Sequence, residues 1–421
     1  MNKEKQKLVV IGGGAAGFFC AVNAARMAPG LEVLLLEKTG KLLSKVLVSG
    51  GGRCNVTHAQ FDITALSKHY PRGEHFVRKA FYAFGAKETV EWFAKRGVPL
   101  KTEKDGRMFP VTDSSQTVAD CLLGEARKHG VQIWTGAEVT AIRKEEDNFH
   151  VDVKGRQTIK AEYVCIATGG YPKAPMFDWL RHLGHSIELP VPSLFTFNLP
   201  KHPITALMGV SVPEAEVKIA GTKLVQTGPV LITHWGLSGP AVLKESAWGA
   251  QQLAALNYQF TALINWLPQW SVQQYHQWLQ TARTSSGNKR LYNTVPEHLP
   301  ARLWEFLCSQ SGIGSEQRVA DVSSKQSTAL QNNVLCYTVN VQGKTTFKEE
   351  FVTAGGVLTS EVSHTTYMSK KIPNLFFAGE VLNVDGITGG FNFQHAWTSG
   401  WLAAKAVAVA AQGAVNNLPV E

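Results

Sequence analysis

The turn Gly12-Gly13-Gly14-Ala15-Ala16-Gly17 places Gly12, Gly14 and Gly17 at the spacing G-x-G-x-x-G. In such a turn the first glycine lets a strand reverse tightly into a helix. The second lets a pyrophosphate approach the backbone, and the third lets helix pack closely on strand. The helix N-terminus opening through Ala15 and Ala16 offers N–H groups and a partial positive charge to an anion. Glu37 stands twenty residues after Gly17, at the end of the next apolar run. A carboxylate there accepts hydrogen bonds from both hydroxyls of an adenosine ribose and repels a 2′-phosphate, so the tightly held ligand is FAD or NAD and not NADP. The alternative, a glycine turn beside a surface glutamate, leaves the preceding strand, the slim helix face of Ala21 and Ala25 and the carboxylate as coincidences.

A second set of residues decides between the two dinucleotides. Ser49-Gly50-Gly51-Gly52-Arg53-Cys54-Asn55 exposes backbone N–H groups through three glycines, and Arg53 and Lys45 add positive charge for a pyrophosphate. Far along the chain, residues 374–380 read as a strand running into a polar turn. Asp385-Gly386-Ile387-Thr388-Gly389-Gly390-Phe391-Asn392 then opens a last helix. Reduction of a flavin puts negative charge near N1 and the C2 oxygen, and a helix N-terminus there stabilises the reduced form. Glu380 or Asp385 is placed to hold ribityl hydroxyls. NAD alone gives no reason for this second apparatus, so the expected cofactor is FAD, held non-covalently. Its expected contacts also include Lys38, Val139, Thr168, Gly169, Gly379, Gly389, Gly390, Phe391 and Asn392.

For catalysis the candidates are His234 and Arg107. Histidine is the side chain that shuttles protons near neutrality, and His234, in Thr233-His234-Trp235-Gly236-Leu237-Ser238-Gly239-Pro240, could complete a hydride transfer. The same stretch also reads as a tight, glycine-shaped corner, by a small margin the preferred reading. Arg107 could clamp a substrate carboxylate or phosphate, or brace the domain. Cys54 beside Arg53 could be an activated thiolate, but with no partner cysteine nearby it reads better as a small buried residue. Trp235, Trp248, Trp266, Trp270, Trp278 and Trp304 could line a pocket, although tryptophan stripes are more often core. Ser311-Gly312-Ile313-Gly314-Ser315 lacks a preceding strand, so no second dinucleotide unit is expected, and any NAD(P)H docks transiently over the flavin.

The elements that must position these residues are short. Residues 8–11 read as a buried strand, followed by the glycine turn, a helix to about Met27 and a second strand ending at Glu37. Together they make one right-handed βαβ unit. Residues 8–28 are apolar enough to imitate a signal peptide or membrane anchor, but three consecutive glycines and the following strand favour buried structure in a cytoplasmic protein. Helical patterns cover 76–96 and 115–129, with strands at 131–134, 138–143, 149–153 and 163–167. From Pro190 proline and glycine become dense. Strands are expected at 216–219, 223–226 and 258–266, helix over 271–311, and strand again at 334–341. The expected organisation is an α/β, Rossmann-type FAD-binding domain over 1–195 and 345–421, interrupted at 196–344 by an inserted domain with a helical portion at about 267–324.

Composition sets outer limits. Of 421 residues, 44% are hydrophobic and 18% charged, ordinary for a globular protein of two or three domains. A net charge of +9 admits an acidic partner such as RNA or a membrane surface, but the basic residues are scattered, which favours ordinary surface charge. Six cysteines without a C-x-x-C pair argue against a zinc site or a dithiol centre and for a reducing compartment.

Residues 10–17, 45–57, 106–110, 167–170, 234–240, 355–357 and above all 379–397 (GEVLNVDGITGGFNFQHAW) resemble one family: bacterial FAD-binding flavoproteins known as NAD(P)/FAD-dependent oxidoreductases, aminoacetone-oxidase-like or BaiN-like. The resemblance implies a fumarate-reductase-like flavin domain interrupted by a β-barrel-like domain that carries a helical subdomain. Two positions depart from the family's usual pattern: Asn383 stands in place of Asp, and His58 in place of Asn. The expected activity is flavin-dependent redox chemistry on a small molecule. An RNA-modifying flavoprotein and a flavin carrier without turnover are the alternatives, and the oligomeric state is left open.

Overall fold

A computed structural model describes residues 5–346 and 352–413. The described chain forms two compact units, residues 5–192 with 352–413 and residues 193–346; the sequence reading drew the divisions at 195/196 and 344/345.

The first unit is built on a parallel sheet of β1 (Lys7–Ile11), β2 (Glu32–Leu36), β3 (Gln132–Trp134), β4 (Tyr163–Ile166) and β5 (Leu375–Phe377), in the spatial order β5-β4-β1-β2-β3. The sequences LVVI, VLLL, YVCI and LFF are buried throughout, as strands covered on both faces must be. The strand order reverses beside β1, so the carboxyl ends of β1 and β4 flank the crevice where open α/β sheets bind ligands. Helix α1 (Ala15–Met27) joins β1 to β2, and helix α2 (Phe391–Ala411) follows β5. Both are apolar almost all round and largely buried, as helices enclosed by other elements are.

The expected helix over 76–96 is two helices, Glu74–Phe81 and Ala86–Ala94. Gly85 caps the second, with the Glu88 side chain accepting from its N–H at 2.8 Å, and this local cap breaks the run. The segments on either side of the second unit are stitched together within the first: Ile187–Pro192 pairs antiparallel with Thr353–Val357.

The second unit is a strongly curled seven-stranded sheet with helices around it. Strand Tyr337–Gln342 pairs with Gln259–Asn265, and its continuation Lys344–Thr345 pairs with Thr196–Asn198. Gly343 makes the joint: its N–H donates to Tyr258 O at 2.8 Å and its carbonyl accepts from Asn198 N at 3.2 Å. One chain run thus pairs with both ends of the sheet, closing it into a barrel. The helices Val272–Ser286, Ala301–Gln310 and Ser324–Leu335 share one core with the barrel, and the last extends beyond the expected helical limit. Trp266 and Trp304 are fully buried in that core, and Trp278 meets Trp304 edge-on at 5.4 Å, so these tryptophans pack the interior.

Glu245, in helix Pro240–Trp248, is fully enclosed, and the Ile219 backbone offsets that burial only in part. Burial raises its pKa to about 8 from an ordinary 4.5. A folded pKa above the unfolded value gives stability that is full below about 4.5 and is lost as pH rises through about 8. Glu245→Gln is therefore expected to leave stability unchanged near pH 4 and to raise it by on the order of 2–4 kcal/mol near pH 8, read from urea unfolding at both values.

Candidate functional site

The glycine turn begins inside the sheet, where Gly12 N donates to Leu36 O at 2.8 Å. A Cβ on Gly12 would lie 2.2 Å from Ala167 O, and one on Gly17 would lie 1.9 Å from Gly12 O. Protein therefore fills the space beside the first and third glycines. Nothing lies within 4 Å of a Cβ built on Gly14, so the second faces open space, as a phosphate-approach position must. Gly14 caps α1, and the first turn, with Ala15 and Ala16, carries neither a side-chain cap nor an acidic residue.

Glu37 is pinned against this turn. Its Oε2 accepts from Gly13 N at 2.8 Å, and its Oε1 accepts from Thr39 N and Oγ1 at 2.7 and 2.8 Å. Lys38 pairs with Glu138 at 2.6 Å, and that hydrogen bond holds the Glu138 carboxyl below its ordinary pKa. Half-buried Val139 follows, at the start of strand Val139–Glu145. Thr168 and Gly169 follow β4 beside Gly12, because Ala167 N donates to Ile11 O at 2.8 Å.

The second set converges on α2. Helix Ser44–Gly52, unforeseen in the sequence, unwinds at its end: Gly50, Gly51, Gly52 and Cys54 all have positive φ. Gly51 and Gly52 face open space. The Asn55 carboxamide, oriented to satisfy both ends, accepts from Gly390 N at 3.0 Å and donates to Thr57 O at 2.9 Å. Thr57 Oγ1 donates to Gln394 Oε1 at 2.6 Å, and Trp397 Nε1 donates to Val56 O at 2.9 Å. Segments more than three hundred residues apart are thus laced into one surface. Gly390 caps α2 at φ +94°, again with no side-chain cap and no acid in the first turn. Asn392 locks the approach, accepting from Gly386 N at 2.9 Å and donating to Gly386 O at 2.8 Å. Gly379 lies against Ala16, and Gly389 supplies a carbonyl to His58.

Several expected ligand-binding charges also have protein partners. Lys45 pairs with Glu380 at 2.7 Å, and Glu380 also accepts from Thr353 N at 2.8 Å. Arg53 donates to Glu103 at 2.6 Å and lies 4.1 Å over the Phe109 ring. Arg107 is held by Asp105 at 2.7 Å and by the same Glu103 at 3.1 Å, a bracing role. Asp385, expected to hold ribityl hydroxyls, is fully buried and bound through both oxygens by Arg72. Only the Arg72–Asp385 pair is withdrawn from water; the others are part-exposed pairs, several of them between residues far apart in sequence. Cys54 is buried, which pushes its thiol up to about 12 and rules out a resting thiolate. Ser49 donates to Val46 O at 3.1 Å. Sequence reasoning missed Arg72, Glu103 and Thr353; only His58, beside Asn55 and Thr57, carried a local signal.

In the second unit, Gly236 and Gly239 shape the corner after Thr233: Cβ atoms there would lie 2.0 Å from Phe197 O and 2.7 Å from Pro229 O. Thr233 Oγ1 and the Gly236 backbone bond each other twice at 3.1 Å. His234 stands exposed at the tip, edge-on to Trp235 at 4.3 Å.

The first unit fits FAD. Two helices present glycine-capped N-termini, Gly14 leaves an open approach, and Glu37 is fixed beside the glycine turn at the end of β2. The buried Thr353 hydroxyl, beside Gly170 and Glu380, has no partner among the described residues.

Comparison with known proteins agrees with this geometry. The family described as "HI0933-like protein Rossmann domain" matches residues 6–406. A protein of Escherichia coli named ribosomal RNA dihydrouridine synthase is 33% identical over 96% of this chain and 98% of its own. A 3-dehydro-bile acid delta(4,6)-reductase of Clostridium scindens is 30% identical over 96% and 99%. Among solved structures, a 3-ketosteroid-delta4-(5alpha)-dehydrogenase of Rhodococcus jostii aligns at a TM-score of 0.51 and 13% identity, covering 97% of this chain and 98% of that one. The E. coli quinol fumarate reductase flavoprotein aligns at 0.50 and 15%, covering 99% and 72%. These two show the shared fold. Among the described residues no helix is long and apolar enough to cross a membrane.

Two measurements test the cradle. Gly14→Ala should leave apoprotein stability intact yet weaken FAD binding, whereas Gly17→Ala should destabilise the apoprotein itself, compared by thermal melting and FAD titration. Glu37→Ala should weaken FAD retention by about 1–3 kcal/mol, measured by equilibrium dialysis.

Proposed function

The chain belongs to the HI0933-like Rossmann family of FAD-dependent oxidoreductases, and from that premise we propose that it saturates a carbon–carbon double bond conjugated to a carbonyl group. One observation carries the reading. Two relatives of near-equal length are named for unlike substrates that share this bond. Dihydrouridine is uridine with its ring double bond saturated, and that bond is conjugated to a ring carbonyl. In a 3-dehydro, delta(4,6) bile acid the double bonds are conjugated to the 3-oxo group.

Conjugation makes the far carbon of the double bond electrophilic, so it accepts a hydride, while the carbon beside the carbonyl takes a proton. FAD, when bound, would supply the hydride. The chain's own residues do the rest. The N-terminus of α1 and Gly14 hold the pyrophosphate, Glu37 holds the adenosine ribose, and the Thr353 hydroxyl takes a polar cofactor group. The N-terminus of α2 favours charge on the reduced pyrimidine edge. His234, exposed on a glycine-shaped corner, is the proposed proton donor. NAD(P)H, docked transiently, is the reductant, and the six free thiols suit a cytoplasmic setting.

The primary substrate class is a small conjugated ketone. A uridine within RNA is the second reading, favoured by the net charge of +9 and the E. coli relative. Holoprotein reduced with NADPH or NADH under anaerobic conditions should be reoxidised by a conjugated ketone, with two hydrogens gained by the product, and not by an isolated alkene. Failure with every conjugated acceptor, ketone or uridine, rejects the reading. In the RNA case, a ribosomal RNA transcript reoxidises the flavin instead, with binding that weakens steeply with salt. His234→Ala should keep FAD bound and slow turnover by about 10²–10⁴-fold in single-turnover kinetics.

A further inference from the structure

Within the first unit, helix Glu74–Phe81 packs beside α2, and small side chains face each other along part of the seam. Ala80 and Ala83 on one side and Leu402, Ala406 and Val409 on the other line a groove of about 240 Å³, closed on a third side by residues 364–366. Positions 402, 406 and 409 share one face of α2. With alanine on both sides, no side chain is long enough to fill the space, and the seam stays open where a packed interior would be closed.

The charge on this groove has one sign. Lys79 and Lys405 stand exposed among its lining residues, and neither has a carboxylate partner among the described residues. Lys7, Lys38, Lys45, Lys101 and Lys371 of the same unit all pair with carboxylates. Lys405 Nζ lies 5.2 Å over the Trp401 ring, which stacks on Phe84 at 5.1 Å. A ring face attracts an ammonium group without neutralising it. No lining residue is acidic, and α2 carries no acidic residue along its length.

A concave surface with apolar walls and uncompensated positive charge attracts an anion that has an apolar body. Leu402 and Val409 are two turns apart, about 10 Å along the axis of α2, a length suited to an extended alkyl chain. The volume lies below the roughly 300–1,000 Å³ of sites for drug-sized molecules, so the groove takes one short chain. We propose that it binds a medium-chain alkyl carboxylate, with the carboxylate at Lys79 and Lys405 and the chain along the alanines, Leu402 and Val409. Inorganic phosphate would use the lysines and leave the walls bare, and a neutral alcohol would do the reverse. The inference is independent of the cofactor and of the activity proposed above.

Octanoate, octanol, butanoate and inorganic phosphate are titrated calorimetrically into the holoprotein and its variants. Octanoate should bind to a single site, and octanol about tenfold more weakly. Lys79→Gln and Lys405→Gln should each weaken octanoate about two- to fivefold, the scale of an exposed ion pair. Each methylene removed between octanoate and butanoate should weaken binding about two- to fourfold. Ala83→Leu, at an exposed position, fills the groove and should abolish binding while the circular dichroism spectrum stays that of the wild type. Octanoate that binds no better than octanol or phosphate overturns the inference. Binding unchanged in Ala83→Leu, or in Lys79→Gln combined with Lys405→Gln, places octanoate elsewhere on the protein and overturns it too. Sedimentation with anionic phospholipid vesicles that is lost in the doubly substituted chain, without octanoate binding, also overturns it and assigns the two lysines to a membrane surface.

Discussion

The backbone of α1 has to be reachable from both sides, and much of the site depends on this. On one side Gly12 sits under Gly17 so closely that a Cβ on Gly17 would fall 1.9 Å from the Gly12 carbonyl. On the other, Gly400 of α2 lies where a Cβ would be 2.6 Å from Ala16 O, and one on Gly379 would meet the Ala16 methyl at 2.8 Å. Ser399 Oγ, one residue before Gly400, accepts from Gly379 N at 2.8 Å and ties the β5 turn into the same contact. Removing side chains from these positions lets the chain's first and last cofactor segments meet on one helix. Two N-termini are thereby brought to one unit without any loop having to span them.

That arrangement also decides where the positive potential comes from. Three ion pairs or networks, Lys45–Glu380, Arg53–Glu103–Arg107 and Arg72–Asp385, place the basic side chains near the site against carboxylates. Removing one member of the buried Arg72–Asp385 pair would cost about 3–5 kcal/mol, whereas the part-exposed pairs are screened by water and contribute far less. The remaining source is the backbone. The uncapped N–H groups at Gly14–Ala16 and at the start of α2 are rigid and carry partial charge without needing a counter-ion. Arg53 and Arg107, which sequence reading offers to a ligand, are also held by Glu103 and Asp105, and the N-termini of α1 and α2 carry no side-chain cap.

What could be read in advance follows from this division. The glycine turn, Glu37 and the last helix were legible because each depends on residues within a few positions of one another, where spacing carries the geometry. The pairings of Arg72 with Asp385 and of Lys45 with Glu380 were not, because the partners lie more than three hundred residues apart and either charge alone reads as surface or ligand contact. Helix Ser44–Gly52 was hidden for a different reason. Its last residues are glycines in left-handed conformations, so the segment ends in a composition that reads as turn and not as helix. In the second unit four strands were visible as short runs with other limits, Thr196–Asn198 and Gly236–Ser238 were not, and closure of the barrel depends on the bend at Gly343, which no periodicity marks.

The same logic explains how the insertion leaves the cofactor unit intact. β4 and β5 are hydrogen-bonded neighbours, with Val164 opposite Leu375 and Ile166 opposite Phe377, although some two hundred residues separate them. A break of that length between adjacent parallel strands is tolerable only if the intervening chain closes its own hydrogen bonds. Much of it does: the barrel pairs both sheet ends through residues 337–345, and its core is shared with its own helices. The ladder between Ile187–Pro192 and Thr353–Val357 then brings departure and return close together, so the ordering cost of the long connection is confined to one short antiparallel pair. Thr353, the last residue of that ladder, is also the one whose N–H meets Glu380 and whose buried hydroxyl lies beside Gly170. The point where the chain returns to the first unit is therefore also the point that meets Glu380 and Gly170.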